Sequence, residues 1–141
     1  MSKINLRSQW TGQFFAAAEL TRRGYSIFFT IGNVEATDLH AQSPNGVPFR
    51  IECKSTIKLG DSWLVKRVKP SKSHFFVFIY GSIEEPFDQP QFWISSSRKV
   101  ARLYDKYISR NPHSEGKAMN VRPKHLGKPS RWEILPDYPS T

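Results

Sequence analysis

Three side chains in this sequence are spaced to do chemistry together: Asp38, then Glu52 and Lys54 with one residue between them. Two carboxylates held opposite each other make a hard-oxygen site of the kind that takes Mg²⁺ or Mn²⁺. An ammonium beside them can orient a water or neutralise charge that develops on a reacting group. Whether the acids do oppose each other depends on the turn between them. Residues 36–56, ATDLHAQSPNGVPFRIECKST, read as two strands joined at Pro44-Asn45-Gly46. A three-residue loop of this kind is a type I turn closed by a residue at positive φ, which glycine adopts without steric cost. Ser43 then faces Val47, and the same register sets Asp38 opposite Glu52 on one face of the hairpin, with Lys54 two residues further along that face. A two-residue Asn45-Gly46 turn would instead set Asp38 against Cys53 and split the carboxylates between faces. Turn and site are therefore one expectation.

The elements that must position this hairpin follow from the flanking pattern. Residues 8–23 (SQWTGQFFAAAELTRR) read as a helix with Phe14, Ala17, Ala18 and Leu20 inward, Ser8 or Thr11 as N-cap and Gly24 as terminator. A strand is expected over 25–30, a break at Ile31-Gly32-Asn33, and the hairpin strands over 36–43 and 48–55. Within 56–73, the stretch 63–68 suits either a short strand or a helical turn, and Pro70 ends it. The run HFFVFIY at 74–80 is nearly continuously apolar, the pattern of a central strand covered on both faces. A short strand at 92–94 follows, then a helix over 98–109 capped by Ser95, Ser96 or Ser97. Its apolar positions are Val100, Leu103, Tyr104, Tyr107 and Ile108; Lys99, Arg102, Lys106 and Arg110 line the other side. Residues 111–141 read as an irregular basic tail, pinned to the body by Trp132, Ile134 and Leu135. The whole of 1–141 reads as a single domain.

Lys and Arg number 21 against 12 Asp and Glu, a formal charge of +9 that favours polyanionic partners, nucleic acid above all. Cys53 is the one cysteine, which excludes an internal disulfide and any cysteine-rich zinc site. It alternates with Glu52 and Lys54, so it is expected to point into the core. No apolar run reaches membrane-span length and 1–10 lacks a signal-peptide core, so a cytoplasmic protein is expected. Lys58, Lys66, Arg67, Lys69 and Lys72 form a candidate phosphate track after the hairpin, which Lys117, Arg122, Lys124, Lys128 and Arg131 of the tail extend. Arg50 shares the Glu52 face and suits either a phosphate contact or a salt bridge. His74 reads as structural, and the four histidines have no zinc spacing.

The order is helix, three strands bearing an acid and a Glu-x-Lys pair, then strand and helix. The first helix carries Gly12-Gln13-Phe14-Phe15-Ala16-Ala17-Ala18, and Phe49-x-Ile51 leads into Glu52. In these features the chain resembles the PD-(D/E)XK nucleases, most of all the small stand-alone members related to archaeal Holliday-junction resolvases and restriction-endonuclease-like proteins. The match runs by motif over 12–54 and by pattern to 108. The resemblance implies a restriction-endonuclease-like α/β core of αβββαβ type, a central mixed sheet of four to five strands flanked by helices. It implies a metal-dependent DNA endonuclease that hydrolyses phosphodiester bonds, working on DNA as a homodimer when both strands are cut. Asp38, Glu52 and the backbone carbonyl of Cys53 would hold Mg²⁺, with Mn²⁺ as substitute. Lys54 would orient or deprotonate the water, or steady the pentavalent phosphate. Thr37 stands where the family name has proline. Gln13 occupies the catalytic position on the helix where many members place glutamate, and an amide oxygen binds a metal or its water more weakly than a carboxylate. Gln13 therefore keeps an alternative open: a catalytically degenerate domain that binds nucleic acid or a protein partner, as an immunity or inhibitor protein would.

Overall fold

The apolar run at 74–80 becomes the strand against which both layers of the molecule pack, and all seven of its residues are buried. A strand buries every residue only when both of its faces are covered. The computed structural model describes residues 3–29, 38–81, 84–85 and 87–139. Within them the order is α1 (Lys3–Arg22), β1 (Ser26–Phe29), β2 (Asp38–Gln42), β3 (Pro48–Thr56), β4 (Trp63–Val65), β5 (His74–Tyr80), β6 (Gln91–Ser96), α2 (Ser97–Arg110) and β7 (Met119–Val121). Five strands form a mixed sheet in the order β1-β2-β3-β5-β6, in which only β3 and β5 run parallel; β4 and β7 pair separately as an antiparallel ribbon. This is the α/β core expected of the sequence. The expected break at Ile31-Gly32-Asn33 and the start of the hairpin at Ala36 and Thr37 lie outside the described residues.

Each face of the sheet has its own core. Ile51, Cys53, Val77 and Ile79 pack with Ala16, Ala17 and Leu20 of α1 and with Trp132 and Leu135 of the C-terminal segment. Phe76, Phe78 and Trp93 pack on the other side with Val100 and Tyr104 of α2 and with Trp63, Val65, Met119 and Val121 of the ribbon.

The hairpin turn is the three-residue one. Gly46 sits at φ 87°, its N–H donates to Ser43 O at 2.9 Å, and Ser43 N–H donates to Val47 O at 2.9 Å. The strands accordingly align Asp38 with Glu52. At α2, Ser96 is the N-cap, its Oγ accepting from Lys99 N at 3.1 Å.

Three expectations change. Helix α1 begins at Lys3, so Ser8 and Thr11 lie inside it and cap nothing. Its buried stripe is Gln13, Ala16, Ala17 and Leu20, whereas Phe14 is 57% exposed and Ala18 is also exposed. The cause is the closeness of α1 to β3. A Cβ built on Gly12 would lie 1.6 Å from Ser55 Oγ, so at Gly12 the helix backbone rests directly on the strand and admits no side chain without a shift. Phe14 instead turns outward and stacks on Trp10 with ring centroids 5.5 Å apart. Finally, the C-terminal segment is not wholly irregular. Met119–Val121 pairs with β4, which settles 63–65 as strand, and short 3-10 turns occur at Pro112–Ser114, Pro123–His125 and Trp132–Ile134.

The C-terminal segment is tied down by polar contacts as well as by Trp132. Tyr25 OH donates to Pro136 O at 2.8 Å, Arg23 Nη1 donates to Tyr138 OH at 2.6 Å, and Ser43 Oγ donates to Asp137 Oδ2 at 2.6 Å. Among the described residues no helix is long and apolar enough to cross a membrane.

Two outcomes follow. Gly12→Ala forces α1 off β3 and should lower stability by about 1–3 kcal/mol, with partial recovery when Ser55→Gly is added; urea denaturation of the single and double variants measures both. Burial first, then Tyr138 and Asp137, pushes the Tyr25 phenol up to about 12. An unfolded phenol ionises at about 10, so the Tyr25 contribution is complete below that pH and is lost as pH rises from about 10 to 12. Tyr25→Phe should flatten the fall in unfolding free energy across that window.

Candidate active site

Pleating divides β3 between two environments. Phe49, Ile51 and Cys53 are buried in the α1 core, so Arg50, Glu52 and Lys54 project from the opposite face. Strand β5 lies beside β3 in parallel with Arg50 aligned to His74, Glu52 to Phe76 and Lys54 to Phe78. The buried rings of Phe76 and Phe78 thus pave one flank of the polar pair.

Lys54 Nζ lies 3.2 Å from Glu52 Oε2, with the two side chains 27% and 24% exposed. The other carboxylate oxygen, Oε1, lies 3.7 Å from His74 Nε2. On its far side, His74 Nδ1 lies 3.1 Å from Arg50 Nη2. A guanidinium can only donate, so Nδ1 accepts and the imidazole carries its proton on Nε2, the nitrogen facing Glu52. The result is a polar row, Arg50 to His74 to Glu52 to Lys54, with Glu52 approached by a donor at each oxygen.

Asp38 holds the register position opposite Glu52. Its side chain lies outside the described part of the structure. The Cys53 carbonyl, expected from the resemblance to be a metal ligand, lies on the β2 edge of its strand. Ser43 and Val47 form a hydrogen-bonded pair, so every second residue of β3 counted from Val47, Cys53 included, directs its N–H and C=O toward β2. Arg50, of the other set, donates its N–H toward the β5 side, to Ser73 O at 2.8 Å. The Cys53 carbonyl thus points to the side on which Asp38 opens β2. Glu52 presents a partly exposed carboxylate opposite the Asp38 position, and oxygen groups of this type are the kind that Mg²⁺ or Mn²⁺ takes. Among the described residues, which leave out the Asp38 side chain, no group of three His, Cys, Asp or Glu converges on one point.

The remaining expected site residues are distributed unevenly. Gln13 is 5% exposed on the stripe of α1 that packs on the Ile51 and Cys53 side of β3. It therefore approaches the strand from the face opposite Glu52 and Lys54, and neither of those residues bonds to it. Lys58, Lys66, Lys69 and Lys72 are exposed. Arg67 is committed elsewhere: it pairs with Glu115 and with Asp105, the latter at 3.1 Å, and lies 4.8 Å over the Tyr104 ring, fastening the segment after β4 to α2. The Glu115 hydrogen bond holds its guanidinium above the ordinary pKa.

His74 is the residue that sequence reasoning assigned to structure and that the fold brings to Glu52. Its signal was a lone polar residue opening an apolar strand. That signal becomes readable only once β3 and β5 are known to pair in parallel at Arg50 and His74. Comparisons of the chain with family models, with curated proteins and with solved structures find no match.

If the partly buried Glu52 and Lys54 pair is kept for chemistry rather than for folding, Glu52→Gln should cost no more than about 1 kcal/mol in chemical denaturation. A loss of several kcal/mol would mark the pair as a structural element instead.

Proposed function

We propose that this chain is a metal-dependent DNA endonuclease of the PD-(D/E)XK type that hydrolyses phosphodiester bonds. The observation that carries the reading is the register that opposes Asp38 to Glu52, together with Lys54 Nζ 3.2 Å from the Glu52 carboxylate on the same face. Asp38, Glu52 and the Cys53 carbonyl would hold Mg²⁺ or Mn²⁺. Such a cation supplies charge neutralisation at the phosphate and a water of lowered pKa. Lys54 donates toward the attacking water or the developing phosphorane charge, depending on which oxygen its ammonium meets first. Glu52 pairs with Lys54 through one oxygen, and His74, itself held by Arg50, stands 3.7 Å from the other. Arg50 is exposed on this face and suits a phosphate of the flanking backbone. The exposed Lys58, Lys66, Lys69 and Lys72 and the net charge of +9 support a DNA partner, held by charge without sequence preference. A cytoplasmic setting is consistent with this partner.

A second reading is a domain of this type that binds nucleic acid without cutting it. It is favoured by Glu52 already having Lys54 and His74 at its two oxygens, and by Gln13 lying on the α1 side of β3 rather than beside them.

Supercoiled plasmid incubated with the protein and Mg²⁺ or Mn²⁺ should be nicked. Lys54→Ala should lose nicking by at least about 100-fold, the order general acid–base groups contribute, while its circular dichroism stays unchanged. Gln13→Glu, a change on the opposite side of β3, should leave the metal requirement unaltered. Plasmid retardation without nicking under either metal would overturn the catalytic reading in favour of the second, and undiminished nicking by Lys54→Ala would remove Lys54 from the site.

A further inference from the structure

Away from the polar row of β3, a cavity of about 240 Å³ opens between the second half of α2 and the β7 segment. Leu103, Tyr107 and Met119 contribute apolar surface, while Lys106, Arg110 and His125 supply charge or hydrogen-bond donors. The cationic side is not neutralised by the protein. Asp105 and Glu115, the nearby acids in sequence, are both bonded to Arg67. Among the described residues no carboxylate pairs with Lys106, Arg110, Arg122 or Lys124. His125 feels this concentration: burial first, then Lys124, Arg122 and Lys106, hold its imidazole below the ordinary histidine range. Its geometry is also set. Arg122 N–H donates to His125 Nδ1 at 2.9 Å, so the neutral ring carries its proton on Nε2, and that N–H has no acceptor among the described residues. Lys99, the other cation on this side, is occupied with the Leu126 carbonyl at 3.3 Å.

Like charges gathered round a cavity without a counter-charge repel one another, and a bound anion would relieve them. An aromatic and aliphatic wall beside that charge fits an anion with a flat apolar portion. The volume is a little below that of ordinary enclosed ligand sites, so a single nucleotide unit would fill it and project from its mouth, and a larger cofactor would not be accommodated. We propose that this cavity binds one nucleotide, its base and sugar against Leu103 and Tyr107 and its phosphate between Lys106, Arg110 and the Nε2–H of His125. The same chemistry is offered by a free mononucleotide and by one unit of a nucleic-acid strand. The site uses none of the residues assigned to cleavage and does not depend on that assignment.

A proton NMR titration of the His125 ring in the full chain tests the proposal, with the resonance identified by its disappearance in His125→Gln. A phosphate placed against Nε2 favours the imidazolium. Adding adenosine 5′-monophosphate or a short single-stranded oligonucleotide should therefore raise the His125 pKa by about 1 unit, while chloride of equal ionic strength does not. Lys106→Gln and Arg110→Gln, both at exposed positions, should each weaken the response, with the His113 and His40 resonances reporting an intact fold. Saturation by the mononucleotide at the lower concentration identifies a free nucleotide as ligand, and saturation by the oligonucleotide at the lower concentration identifies a strand. No shift with either probe, or a shift undiminished in both variants, overturns the proposal. Running the titration on Lys54→Ala protein keeps the result independent of any cleavage.

Discussion

Alternation along β3 is the constraint on which the other features depend. One set of its residues lies under α1 and the other carries Arg50, Glu52 and Lys54. A slip of one residue would bury the charged set and expose Ile51 and Cys53. Three contacts from separate parts of the chain hold the phase. The Pro44-Asn45-Gly46 turn sets it against β2, the parallel alignment with β5 sets it on the other edge, and the seating of Gly12 on Ser55 sets it against the helix. That local turn chemistry, strand pairing and layer packing agree on one register is the consistency expected of a sequence that specifies one structure.

What the sequence disclosed and what it hid divide along the same line. The hairpin was legible because a glycine at positive φ closes a turn of fixed length, and turn length determines which residues face each other. β5 was legible because a run with no polar residue after His74 has few other places to go, and α2 because Ser96 and the helical spacing of Val100, Leu103 and Tyr104 are local signals. Features made by distant partners were not legible. Met119–Val121 is too short to declare itself and is a strand only because β4 offers it an edge. The outward turn of Phe14 is decided by how near α1 comes to β3, which depends on Gly12 and Ser55 together. His74 joins the site through a neighbour 24 positions away. In each case the missing information was a pairing, which composition and period do not carry.

The positive charge is not a uniform coat. Glu19, Asp105, Glu115 and Glu133 each have an arginine partner, so Arg22, Arg23, Arg67 and Arg131 are drawn into local pairs. Much of the excess gathers in two groups: the lysines of the stretch between β3 and β5, and the cations about the α2 and β7 cavity. The first lies in sequence beside Glu52 and Lys54, and the second is displaced onto the helical layer. A polyanion that met both would span more than the polar row itself.

The path from β3 to β5 is interrupted by β4, whose Trp63 is buried against Phe78 and Trp93 and donates its indole N–H to the Ile79 carbonyl at 3.2 Å. That anchor splits one long crossover into two short loops, 57–62 and 66–73. The loop 57–62 has fixed ends, so lengthening it is borne locally, since loop length itself costs little free energy, whereas 66–73 is also tied to α2 through Arg67 and Ser71. Change in the first loop is thereby uncoupled from the geometry of Arg50, Glu52 and Lys54, and 57–62 can vary in length or charge while β3 stays as it is.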